Sequence, residues 1–241
     1  MILYPAIDLL DGKAIRLRQG KRDEVTVYGN PVEMARSLRQ RGAAWLHLVD
    51  LEAAFDGKTR QLDLLREIVR AFDGPVELGG GLRSLEDIAL RMEAGVCRCI
   101  IGTAAAEHPE MVAEACARWP GRIAAGIDAK DGMVATRGWV DVTAIPAIEL
   151  AERMKQAGVE TIIYTDVSRD GMMTGPNVKA TAALVKATGL AVTGSGGVSS
   201  LDDLRALREA GCAGAILGKA LYEGAFTLED ALRQEAAYSV L

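Results

Sequence analysis

GGGLRSLEDIALRMEAGVCRCIIGTA at residues 79–104 aligns without a gap to SGGVSSLDDLRALREAGCAGAILGKA at residues 195–220. The offset, 197 − 81 = 116, pairs Gly81 with Gly197, Ser84 with Ser200, Asp87 with Asp203, Gly95 with Gly211 and Gly102 with Gly218. Each copy reads as a glycine turn, a Ser-x-x-Asp helix start, an amphipathic helix, a glycine stop and an apolar strand. Serine with an acidic residue three positions on is a capping-box signature. A gapless match over a whole strand-turn-helix-turn-strand unit points to duplication rather than to two chance caps.

Working outward, AIDLLDG at 6–12 matches GIDAKDG at 126–132 with offset 128 − 8 = 120, and Asp50 and Asp166 again lie 116 apart. Short apolar, β-branched runs recur at 2–8, 45–50, 75–80, 98–103, 122–128, 161–166, 190–195 and 214–219. Most are too continuously apolar for a half-exposed strand and read as parallel strands covered on both faces. Amphipathic patterns alternate with them at Pro31–Arg41, Leu62–Ala71, Leu85–Ala94, Ala144–Ala157 and Leu201–Ala210. Pro31 suits a first helical turn, and Gly42, Gly95, Gly158 and Gly211 suit helix ends. Eight strands alternating with helices define an α/β chain forming a single (β/α)8 TIM barrel over 1–241, built from half-barrels of about 1–120 and 121–241. A doubly wound sheet is the alternative; no GxGxxG follows the first strand to support a dinucleotide-binding version.

The 241 residues are 49% hydrophobic and 25% charged, enough for a large core and too apolar for disorder. A net charge of −5 argues against nucleic acid as a partner. No apolar run approaches the roughly 20 residues that cross a bilayer, and the first 19 residues lack a basic stretch followed by an apolar one. A cytoplasmic protein without a membrane partner is expected. Cys97, Cys99, Cys116 and Cys212 have neither metal-site nor disulfide-framework spacing and read as reduced, mostly buried thiols.

Both repeats put glycines where a strand ends and a helix begins: Gly79-Gly80-Gly81 and Gly102-Thr103 in the first, Ser195-Gly196-Gly197 and Gly218-Lys219 in the second. Glycine lets the backbone approach a ligand, and free amides at a helix N-terminus favour an anion. The loops after strands seven and eight are a recurrent phosphate site in such barrels, and duplication predicts a second one after strands three and four. The implied ligand carries a phosphate at each end and lies across the barrel mouth.

Asp8 and Asp128 end strands one and five, which oppose each other in an eight-stranded ring. One carboxyl can take a proton from carbon while the other gives one to oxygen, provided their environments separate their pKa values. Thr165 ends strand six and either bonds the reacting sugar or completes a strand end. Asp170, in the turn-rich DVSRDGMMTGPN, is either a second acid or a turn residue, and Gly175 closes the same loop. Trp139 either buries against the barrel or stacks on a planar heterocycle. Arg16, Arg83 and Arg137 are phosphate candidates, with surface solvation the plainer fate, above all for Arg137. Neither His47 nor His108 has the spacing of a metal site or a Ser-His-Asp triad.

These residues resemble a known family. PAIDLLDGKAIRLRQG, VDLEAAFDG, ELGGGLRS, IIGTAA, GIDAKDG, RGW, TDVSRDGMMTGPN, SGGVSS and ILGKALYEG are similar to the phosphoribosylformimino-aminoimidazole carboxamide ribotide isomerases of histidine biosynthesis, from Met1 to about Leu232. The resemblance implies an Amadori rearrangement of an aminoaldose to an aminoketose. An acid protonates the ribose ring oxygen, the ring opens to a Schiff base, and a base removes the C2′ proton. It implies Asp8 as base and Asp128 as acid, with Asp170 competing for the acid role. No metal or redox cofactor is implied, and the partner is a bis-phosphorylated ribonucleotide met by a monomer. The related cyclase shares the barrel and both Asp positions but differs in its first strand and sixth loop. A dual-substrate relative that also isomerises phosphoribosylanthranilate is the other alternative; narrow specificity is the preferred expectation. A non-catalytic phosphosugar-binding barrel is the third.

Overall fold

The apolar runs pair side by side because neither of their faces is left for water. The computed structural model describes residues 1–18, 21–57 and 61–238. Its barrel strands are β1 (Ile2–Leu10), β2 (Leu46–Asp50), β3 (Val76–Gly79), β4 (Arg98–Ile101), β5 (Ile123–Lys130), β6 (Thr161–Asp166), β7 (Ala191–Ser195) and β8 (Gly214–Leu217). Each pairs in parallel with the next, β8 returns to β1, and the ring is closed. The expected (β/α)8 barrel is therefore present. Strand alternation splits the core in two. Tyr4, Ala6, Ile100, Ala124, Ile163 and Ile216 fill the lumen. Their outward neighbours, such as Ile7, Leu48, Leu78 and Ile127, pack beneath the helices.

Both expected capping boxes form. Ser84 and Asp87 start helix Leu85–Glu93, and Ser200 and Asp203 start helix Leu201–Glu209, each with side-chain and backbone bonds exchanged. Pro31 opens helix Pro31–Gln40.

Two β-hairpin extensions depart from the sequence expectation. After β1 the chain turns back through strands Lys13–Arg18 and Lys21–Gly29; after β5 it does so through Met133–Thr136 and Asp141–Pro146. The reversals are Asp11-Gly12 (φ 50° and 71°) and Asp131-Gly132 (φ 52° and 81°). Left-handed backbone at both central positions is the geometry that suits a two-residue hairpin. The helix expected from Ala144 begins instead at Ala147, and residues 144–146 complete a strand. Pro146, extended at φ −63° and ψ 140°, explains the delay, since a proline disfavours helix in the residue before it.

The two ends of the described chain meet. The Met1 ammonium lies 3.1 Å from Glu235 of the last helix, Leu228–Tyr238, and Arg208 also pairs with Glu235. Among the described residues no helix is long and apolar enough to cross a membrane.

Candidate active site

The C-terminal ends of the barrel strands open into a cavity of about 630 Å³ lined by Asp8, Asp128, Thr165 and Asp170 together. β1 and β5 stand four strands apart in the ring of eight, so Asp8 and Asp128 face each other across the mouth. Their partners differ. Arg16, on the strand returning from β1, donates from Nη1 to Asp8 Oδ2 at 2.9 Å. Burial works against the Arg16 charge, but Asp8 and Asp170 outweigh it and raise its pKa. Asp128 meets neutral donors instead: Trp139 Nε1 donates to its Oδ2 at 2.8 Å, and the Thr165 hydroxyl also bonds it. Burial prevails over those bonds and over the field of His47, and holds the Asp128 carboxyl above the usual carboxylate range. Asp170 is raised as well, first by burial, against Arg16, with Asp8 and Asp128 adding to the effect.

Trp139 reaches Asp128 through a strained turn. Arg137, Gly138 and Trp139 have consecutive φ values of 54°, 67° and 71°. Left-handed backbone at a non-glycine residue costs roughly 1–3 kcal/mol and persists where its surroundings enforce it. Trp139 is half-buried and lines the cavity with its indole N–H committed to a carboxylate, so it is not simply buried against the barrel. Trp139→Phe removes a bond that favours the charged form of Asp128. The Asp128 titration, followed by carboxyl ¹³C NMR, is expected to move up; an unchanged or lowered midpoint would show that the indole does not tune it.

The two glycine cradles sit at opposite sides of this mouth. Gly80, Gly81, Arg83, Gly102 and Thr103 line the large cavity. Ser195, Gly196, Gly197, Gly218 and Lys219 line an adjoining one of about 20 Å³ together with Arg16 and Asp170. Close approach requires glycine at Gly80 and Gly197. A Cβ on Gly80 (φ 103°) would lie 2.2 Å from the Asp50 carbonyl oxygen, and one on Gly197 (φ 88°) 2.4 Å from that of Gly175. The second cradle is narrow because Arg16 lies over Gly218, an Nη atom 1.7 Å from where a Cβ would stand. The buried Arg16 Nε has no acceptor among the described residues. A cation with a spare donor above a glycine turn suits an anion.

Other candidates are placed less centrally. Gly175 lines neither cavity; its N–H donates to Gly197 O at 2.9 Å, so it braces the second cradle from behind. Arg83 is exposed and donates to Ala54 O at 3.2 Å. Arg137 stands at the rim, its side chain 66% exposed, and pairs with Glu107 and Asp141. Lys219 Nζ donates to Gly171 O at 3.1 Å, tying the 167–177 loop to the second cradle. Asp166 anchors that loop, accepting from Ser168 N and from Asn177 Nδ2. Its repeat partner Asp50 caps helix Leu51–Asp56.

The sequence reading set His47 aside, yet it lines the cavity wall. Its inward parity on β2 was the available signal, since Ala6 of β1, its register partner, also points into the lumen. No group of three His, Cys, Asp or Glu among the described residues is placed to hold a metal.

A family model described as "Histidine biosynthesis protein" matches residues 2–227. The chain belongs to the histidine biosynthesis protein family. A relative from Thermodesulfovibrio yellowstonii is 53% identical over 235 residues, covering 97% of this chain and 96% of its own length. One from Paracoccus denitrificans is 52% identical over 235 residues, covering 97% and 99%. Both relatives are named 1-(5-phosphoribosyl)-5-((5-phosphoribosylamino)methylideneamino) imidazole-4-carboxamide isomerase. The family resemblance drawn from the motifs is thus borne out. The segment matched to the histidine biosynthesis family contains both cradles and the cavity aspartates Asp8, Asp128 and Asp170, and stops short of the last helix.

Proposed function

We propose that the chain is an aldose–ketose isomerase carrying out the Amadori rearrangement named by its relatives, on a ribonucleotide with a phosphate at each end. The observation that carries this is two opposed carboxylates, one facing a guanidinium and one facing neutral donors, between two glycine cradles. The cradles span the substrate and fix its sugar between the acids. Asp8 takes the C2′ proton as base. Asp128, raised by burial, protonates the ribose ring oxygen, and the ring opens to the Schiff base. The resulting enolamine becomes the ketone. Arg16 exchanges Asp8 for the phosphate arriving over Gly218.

A second reading of the acid has its own support. Asp128 accepts bonds that favour its charged form, whereas Asp170 is pushed up by two neighbouring carboxylates as well as by burial. Asn variants separate the two. The variant of the true acid is expected to lose the alkaline limb of kcat against pH, and the other to keep it. If Asp128→Asn keeps that limb, the role passes to Asp170.

The function is tested by a spectroscopic assay on the purified protein with both the histidine intermediate and phosphoribosylanthranilate. Turnover of the first alone is expected; no turnover of either would sink the isomerase reading, and turnover of both its narrow form. The same reading has the protein act as a monomer in the cytoplasm, and sedimentation as a dimer would count against the first part.

A further inference from the structure

Beneath the cavity, the lumen holds a charged cluster that the proposed chemistry does not use. His47 Nδ1 lies 2.7 Å from Glu77 Oε1. Arg98 donates from Nε to Glu77 Oε2 at 2.9 Å and again from Nη2. The same Nη2 reaches the Tyr4 hydroxyl at 2.9 Å, and the guanidinium stacks 4.7 Å from the Trp45 ring centroid. Glu77 is fully buried.

The repeat makes this cluster conspicuous. At the equivalent places in the second half stand Ile163 for His47, Thr193 for Glu77, Gly214 for Arg98 and Ala124 for Tyr4. Backbone pairing is shared: Glu77 faces Arg98 across β3 and β4 as Thr193 faces Gly214 across β7 and β8. One half therefore closes its floor with apolar and small residues, and the other spends two buried charges in the same positions. Buried ion pairs are weak stabilisers, since desolvation offsets their attraction. Stability alone gives little reason for the difference.

Glu77 dictates a chemical state. Burial would raise its carboxyl, but the bonds to His47 and Arg98 outweigh that and hold it below the ordinary glutamate range. An ionised carboxylate only accepts, so the proton at its contact with His47 belongs to Nδ1. With Nδ1 taken by Glu77, Nε2 is the ring nitrogen left for the cavity that His47 lines together with Asp128 of β5, Asp8 of β1 with its Arg16, and Asp170.

We propose that Glu77, held by Arg98, is a positioning residue: in the neutral ring it keeps the Nδ1 proton of His47 turned into the barrel and so leaves Nε2 as a fixed acceptor for a hydroxyl of the sugar between Asp8 and Asp128. The ligand rests on the isomerase reading; the tautomer does not. Glu77→Gln keeps the shape but can donate as well as accept, so the ring is freed to adopt either tautomer.

The chain has two histidines, so ¹⁵N-histidine labelling gives two rings, and His108→Gln assigns them. With the ring neutral and no substrate present, His47 is expected to carry its proton on Nδ1, and in Glu77→Gln to show both tautomers. A proton on Nε2, or a tautomer unmoved in Glu77→Gln, would overturn the proposal whatever the enzyme turns over. In turnover, Glu77→Gln is expected to lower kcat about 10- to 100-fold with KM changed less than about threefold. Equal losses in both would mark a merely structural role. Should Glu77→Gln fail to fold, His47→Gln and His47→Asn decide. Gln places its amide near Nε2 and is expected to keep at least about tenfold more kcat than Asn, which mimics Nδ1; parity of the two would sink the idea. A wild type without turnover removes the isomerase reading and leaves the tautomer test standing.

Discussion

Asp8→Asn is expected to lose at least about a hundredfold of kcat while binding substrate as the parent does. Removing one general base costs typically 10²–10⁴ in rate, and Asn keeps the size and the acceptor oxygen that Arg16 uses. Isothermal titration with the bis-phosphorylated substrate separates the two quantities, because Arg16 and the glycines of both cradles keep their identity. The neighbouring rim stays in place: Tyr222 donates to Ala6 O at 2.5 Å and helps cover this side of the mouth. Retained turnover would remove Asp8 from the mechanism. Lost binding would mean that the carboxylate holds substrate rather than moving a proton.

The second large effect is on stability. Gly80→Ala is expected to destabilise the fold by about 2–4 kcal/mol, since it adds a left-handed penalty to a clash with fixed backbone. For a chain of this size that is a fall in melting temperature of roughly 4–16 °C. The clash is with Asp50 O, 2.2 Å from the added Cβ, in the residue that caps helix Leu51–Asp56. Gly102→Ala is the counterpart. Gly102 has no atom within 4 Å of its Cβ position and does not have positive φ. This variant should melt near the parent but raise KM, because its methyl meets no protein atom and enters the cavity edge where the proposed phosphate would sit. If Gly80→Ala melts like Gly102→Ala, the first cradle is looser than its geometry implies.

The barrel was legible because duplication reported it twice. A single Ser-x-x-Asp box or glycine stop is ambiguous, but the 116-residue offset tied caps, strands and turns into one unit. The opposed carboxylates followed from strand count alone. The hairpin extensions were missed although Asp11-Gly12 and Asp131-Gly132 are strong hairpin signals. They were used as evidence of repetition, and the helical spacing after Ala144 masked a half-exposed strand ending in Pro146. His47 was missed for a different reason. Its meaning depends on Glu77 and Arg98, which lie 30 and 51 positions further along the chain and meet it only after the ring closes. Trp139 was legible as an aromatic near the site, but its bond to Asp128 depends on three successive left-handed residues, of which only Gly138 advertises that conformation.

Because residue 1 rests against Glu235 of the final helix, the order in which the halves are threaded is not what holds the ring together. A short linker from the last helix to Ile2 would bridge neighbours, and new ends opened at Pro120 and Gly121 would fall in an exposed turn at the seam between repeats. Such a circular permutant keeps all eight strand pairings while exchanging which half is synthesised first, so the ring lends itself to separating folding order from final architecture.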